Sequence, residues 1–123
     1  MKISQESLKP IYVQIAEGIE EDILCQILKE DDQAYSSYQI SSEYGVNPAT
    51  AAKGIGILTI EGVLYKKRGL GVFVSKGAKE KILEKRKNQF KKEMIPEFLT
   101  EAKKLGISID ELKDMLENIT RKG

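Results

Sequence analysis

The sequence predicts a mainly α protein with one small β-hairpin, an α+β arrangement: a helix-turn-helix and hairpin come first, and a short two-helix region follows. Three observations predict it. Ser36 and Gln39 have the spacing of a capping box, ahead of Ile40 and Tyr44 on one helical face. Gly45-Val46-Asn47-Pro48 stops that helix and starts another, because glycine ends a helix cheaply in the left-handed region, asparagine caps the next one and proline suits its first turn. Val63-Leu64-Tyr65 and Val72-Phe73-Val74 then flank a basic turn containing Gly69 and Gly71, the signature of a hairpin with a cationic tip.

Taken in order, Met1 to Lys9 is polar and weakly docked, and Pro10 opens the first helix. Ile11, Ile15, Ile19 and Ile23 recur every four residues, joined by Ala16, Leu24, Ile27 and Leu28, while Glu17, Glu20, Glu21 and Asp22 lie mostly off that stripe. Cys25 is expected inside this helix as a core or half-buried residue. After a turn at Lys29 to Asp32, Gln33-Ala34-Tyr35 is expected to add a short strand to the hairpin. In the helix that starts at Pro48, Ala51, Ile55 and Leu58 should face the core, with Gly62 closing it. Gly54 and Gly56 each cost about 1 kcal/mol of helix propensity relative to alanine, which points to close approach of a neighbouring helix, with DNA as the alternative. Tyr65 and Phe73 are expected in the core. Ser75 to Gly77 ends the first domain, residues 1–77.

Residues 78–123 form the helical tail. A long helix is expected from about Ala78 to Leu105, kinked or broken at Met94 to Pro96 because proline lacks an amide donor and clashes with the preceding turn. Gly106 ends it, and Ser108 with Glu111 caps a last helix to about Thr120. The tail places Phe90, Met94, Ile95, Phe98, Leu99, Ala102, Leu112, Met115, Leu116 and Ile119 on apolar faces too large for two short helices to cover alone. An isologous homodimer through these residues is the expected answer, and the alternative is that the helices fold back on their own domain.

Two helices joined by a three-residue turn can place the second in the DNA major groove, with its N-terminal residues on base edges. This arrangement points Asn47, Ala49, Thr50 and Lys53 outward, although a helix cap and nothing more is the competing reading of Asn47. Ser36, Ser37 and Tyr38 are placed to meet backbone phosphates, with capping and ordinary surface as the alternative. Lys66, Lys67, Arg68, Gly69, Leu70 and Gly71 form the hairpin tip, where long cations reach phosphates and glycine lets backbone approach a narrow groove. The net charge is only +1, but it is unevenly spread. Glu17 to Asp32 holds seven acids and one lysine, whereas Lys53 to Lys76 holds five bases and one acid, so a polyanion would orient the domain.

The stretch NPATAAKGIGIL followed by EGVLYKKRGLGVFV, with PIYVQIAEGI near the start, resembles the winged helix-turn-helix regulators of the GntR family. The short region after the wing is similar to the YtrA-like subgroup. The resemblance covers nearly the whole chain and implies a homodimeric bacterial transcription factor, often a repressor of transporter operons, that binds an inverted-repeat operator in double-stranded DNA. It also implies arginines at sites matching Tyr38, Pro48 and Ala52, and this sequence has none of the three. An interaction module that docks its wing on an acidic protein without reading an operator is the alternative.

With one cysteine and no histidine, the usual zinc sites, disulfide frameworks and most general-base chemistry fall away. Neither GxGxxG nor P-loop spacing occurs. The expectation is no enzyme, no cofactor and no metal. No apolar run reaches the roughly 18 to 20 residues needed to span a bilayer, and MKISQESLKP lacks a signal-peptide core, so a cytoplasmic protein with no membrane partner is expected. A small-molecule effector, if the protein has one, would sit between the tail helices and the winged domains.

Overall fold

The computed structural model describes residues 1–122. Its elements are α1 (Ile11–Leu24), α2 (Ser37–Tyr44), α3 (Pro48–Ile60), β1 (Leu64–Lys67), β2 (Gly71–Val74), α4 (Ala78–Gln89), a π-helical turn (Phe90–Met94), α5 (Ile95–Lys104) and α6 (Ile109–Lys122). The chain divides into two compact units, Met1–Glu84 and Lys85–Gly123.

The first unit is built on α1. Ile15, Ile19 and Ile23 from its apolar face meet Ile40 of α2, Ala51, Ile55 and Leu58 of α3, and Leu64 and Val74 of the hairpin. Ala78 and Ile82 are also fully buried in this core, so the first turns of α4 pack with the winged unit. Burying an aliphatic side chain of this size contributes about 1.5–3 kcal/mol, which makes this cluster the main source of the unit's stability. The caps form as the sequence requires. Ser36 Oγ accepts from the Gln39 amide at 3.1 Å while Gln39 Oε1 accepts from the Ser36 amide at 2.8 Å, and Gly45 ends α2 at φ +67°.

The helix α1 stops at Leu24, earlier than its apolar repeat suggests. The Asp22 carbonyl accepts from the amides of both Ile27 and Leu28, at 2.9 and 3.0 Å, and this folds the chain back sharply. Leu28 enters the core as a result, but Cys25 and Ile27 are exposed, contrary to the expectation for both. The residues 33–35 form no strand. Gln33 makes an isolated antiparallel bridge to Phe73, and the Ala34 amide donates to the Val72 carbonyl at 2.8 Å, so the segment pairs with β2 for only one bridge before Ser36 caps α2.

Asp22 is buried, and the Tyr35 hydroxyl donates to its carboxylate. Burial, followed by this hydrogen bond, pushes the Tyr35 phenol well above its ordinary pKa. Tyr35→Phe is expected to lower unfolding stability by about 1–3 kcal/mol, because a buried carboxylate then lacks a donor. Urea unfolding of the two proteins reads this directly.

In the second unit Pro96 does not break the helix. The Ile95 amide donates to the Phe90 carbonyl five residues back, and this widened π-helical turn accommodates the Pro96 ring as the chain passes into α5. Gly106 at φ +73° ends α5, and Ser108 and Glu111 cap α6 reciprocally. Among the described residues, no helix is long and apolar enough to cross a membrane.

Candidate nucleic-acid interface

Three elements of the first unit converge on one side: the start of α2, the outer face of α3 and the hairpin. Between them lies a groove of about 480 Å³, lined by Ser36, Ala52, Gly56, Ile60, Lys66 and Val72 among others. The groove is apolar over most of its wall, with Lys66 and the hydroxyl residues Ser36, Ser37 and Thr59 among its lining. It exists because α3 presents alanine and glycine here, and larger residues would fill it.

The hairpin pairs Leu64 with Val74, Tyr65 with Phe73, Lys66 with Val72 and Lys67 with Gly71. Its tip closes when the Leu70 amide donates to the Lys67 carbonyl at 2.9 Å, a turn that puts Gly69 at φ +77°, where a side chain would be strained. Arg68, Gly69 and Leu70 are exposed at the tip. Tyr65 and Phe73 are half-buried rather than in the core. They stack with ring centroids 5.9 Å apart, and the Lys67 ammonium lies 4.5 Å from the Phe73 centroid. The reason is strand alternation: Leu64 and Val74 face the core, and the neighbouring pair Tyr65 and Phe73 points to the opposite face of the hairpin. The Tyr65 hydroxyl donates to Asp31 at 2.8 Å, which raises the phenol's pKa and ties the wing to the turn before α2.

On α3, Ala51, Gly54, Ile55 and Leu58 are buried against the core, and Ala49, Ala52 and Lys53 are exposed. Asn47 is the N-cap. Its Oδ1 accepts from the Ala49 amide at 2.8 Å, which leaves one Oδ1 lone pair and the side-chain NH2 for another partner. The Lys53 ammonium sits 4.0 Å above the Tyr12 ring of α1, held by a cation–π contact. Thr50 is half-buried, Ser36 is engaged in its capping box, Ser37 is half-buried beside it, and Tyr38 projects from α2 with 77% of its surface exposed.

Two residues that shape this face were not singled out from the sequence. Gln33 donates from Nε2 to the Leu70 carbonyl at 2.8 Å and so braces the wing tip. Tyr12 holds Lys53. Neither carries a local sequence signal, since each acts on a residue far along the chain.

In the second unit, Phe90, Met94, Ile95, Phe98, Leu99, Met115, Leu116 and Ile119 are exposed. Ala102 and Leu112 are buried within the single chain, at 6% and 7% exposure, and so offer little surface to a partner.

No protein-family model matches the chain. It is 28% identical to the HTH-type transcriptional repressor YtrA of Bacillus subtilis, over 98% of this chain and 92% of that protein. A crystal structure of a putative transcriptional regulator of the GntR family from Bacteroides thetaiotaomicron is 40% identical, with a TM-score of 0.75 over 93% of this chain and 100% of that one. The DNA-binding domain of AraR, solved in complex with operator ORR3, is 29% identical, with a TM-score of 0.54 over 61% of this chain and 90% of that one. The fold, the capped helix-turn-helix and the basic wing agree with these likenesses: the chain belongs to the GntR family of winged helix-turn-helix transcription regulators.

Proposed function

We propose that the protein is a cytoplasmic repressor that works as a homodimer, with residues 1–77 on DNA and residues 78–123 pairing the subunits. The observation that carries this reading is the convergence of the α2 start, α3 and a cationic wing around one groove, in a chain whose second unit leaves ten large apolar side chains exposed among the described residues. Exposed apolar surface in that amount marks an interaction site, and an isologous contact covers it on both copies at once.

In this mechanism α3 enters the major groove with Asn47, Ala49, Thr50 and Lys53 nearest the bases. Ser36, Ser37 and Tyr38 contact phosphates, and Lys66 to Gly71 reach the flanking backbone or minor groove. Two linked domains gain effective concentration on half-sites about one helical turn apart, ~34 Å. A dimer on its operator excludes polymerase sterically, so no catalysis is required of it. A transporter operon is the target class that the resemblance supports, and release by a small effector is compatible with this scheme.

The test is a titration of operator DNA at several salt concentrations, with the stoichiometry read by sedimentation. Two chains per operator and a steep salt dependence are expected. Arg68→Ala should weaken binding at every salt concentration and reduce the slope of log affinity against log salt by about 2, the loss of one contact from each of the two subunits. One chain per operator, or an unchanged slope, would contradict the reading.

A further inference from the structure

The groups that α3 can offer to a base edge are unusual in kind. Arginine or lysine normally reads guanine through its O6 and N7, and asparagine reads adenine by using its oxygen and nitrogen together. This helix, PATAAKGIGILTI, contains no arginine and a single lysine, and that ammonium is held 4.0 Å above Tyr12. Asn47 precedes it, and its Oδ1 already accepts from the Ala49 amide, which ties the side chain to the helix start and leaves one lone pair and the NH2 for a base. What this surface does present is the methyl groups of exposed Ala49 and Ala52, the half-buried Thr50, and the half-buried Gly56 in the groove lining. A Cβ built on Gly56 would meet nothing within 4 Å, so the space above it is open.

Apolar side chains and the threonine methyl have one complementary feature in the major groove, the C5-methyl of thymine. The wing meanwhile brings Arg68 to a glycine-containing tip, a form suited to the narrow minor groove of A-tracts, whose enhanced negative potential attracts inserted arginine. Both elements therefore favour the same sequences. We propose that, within the operator binding already described, this chain selects its half-site by thymine methyls and duplex shape rather than by guanine edges, with Ala49, Thr50, Ala52 and Gly56 as the specificity-determining residues. The operator is accordingly rich in A·T pairs where α3 docks.

The experiment uses the unmodified protein and synthetic duplexes of its selected operator. Replacing thymine by deoxyuridine in the half-sites removes only the methyl groups, and replacing guanine by 7-deazaguanine removes only the N7 acceptor. Each buried methyl should be worth about fourfold in affinity, so deoxyuridine in two or three positions should weaken binding roughly tenfold or more. The 7-deazaguanine duplex should bind within about twofold of the natural one. The converse pattern, a large loss with 7-deazaguanine and none with deoxyuridine, overturns the inference while leaving operator binding intact. A protein that prefers no sequence at all overturns the operator reading and this inference with it.

Discussion

Leu116→Asp is expected to convert the protein to a folded monomer that binds its operator roughly 100-fold or more weakly than the native chain. Leu116 is exposed on α6 with Met115 and Ile119, so a carboxylate there costs the single chain little. In the proposed interface the same carboxylate would be buried on both subunits without a partner, a far larger penalty. The affinity loss follows from linkage of the two domains, since the gain from binding half-sites together is on the order of 10²–10⁴ and vanishes when the subunits part. Sedimentation measures the oligomeric state, far-UV circular dichroism checks the fold, and operator titration reads the affinity. A variant that stays dimeric would show that the tail helices pair through other residues.

Gly54→Ala and Gly56→Ala are expected to act in opposite directions, although both replace glycine by a better helix former two residues apart on α3. A Cβ at Gly54 would lie 2.8 Å from the Tyr12 carbonyl oxygen and 2.9 Å from an Ile15 methyl, so α1 would have to move. Overpacking of this kind costs about 1–3 kcal/mol, more than the helix propensity gained. At Gly56 nothing lies within 4 Å, and alanine should stabilise by about 0.5–1 kcal/mol. Thermal melts of the two variants test the contrast: Gly54→Ala should melt several degrees below the native protein and Gly56→Ala slightly above it.

This contrast also shows what a sequence can reveal. Both glycines stand out as costly residues in a helix, and the expectation of a close neighbouring helix holds for Gly54 only. The capping box at Ser36, the glycine stop at Gly45 and the cap at Asn47 were legible because each is decided within a few residues. The ends and detours were not. The repeat of α1 runs on through Ile27, but the double acceptance by the Asp22 carbonyl turns the chain first, and Cys25 is left outside. Pro96 announced a disturbance without saying that a π-helical turn would absorb it.

The interface was legible as a set of elements and much less as a set of working groups. Gly69 at a positive φ and exposed Arg68 follow from the wing motif itself. That Lys53 lies over Tyr12, Lys67 over Phe73, and Gln33 against the Leu70 carbonyl depends on tertiary packing between distant parts of the chain. Spacing gives no hint of such pairs, yet they determine which donors remain for DNA.

The measurement that tests the central claim most directly is selection of random duplex DNA by the purified full chain. Enrichment of an inverted repeat, with half-sites about one helical turn apart, is the predicted result for a dimer that reads each half-site with α3 and a wing. Enrichment of a single unrepeated site, or of no sequence at all, would contradict the dimeric operator-binding account.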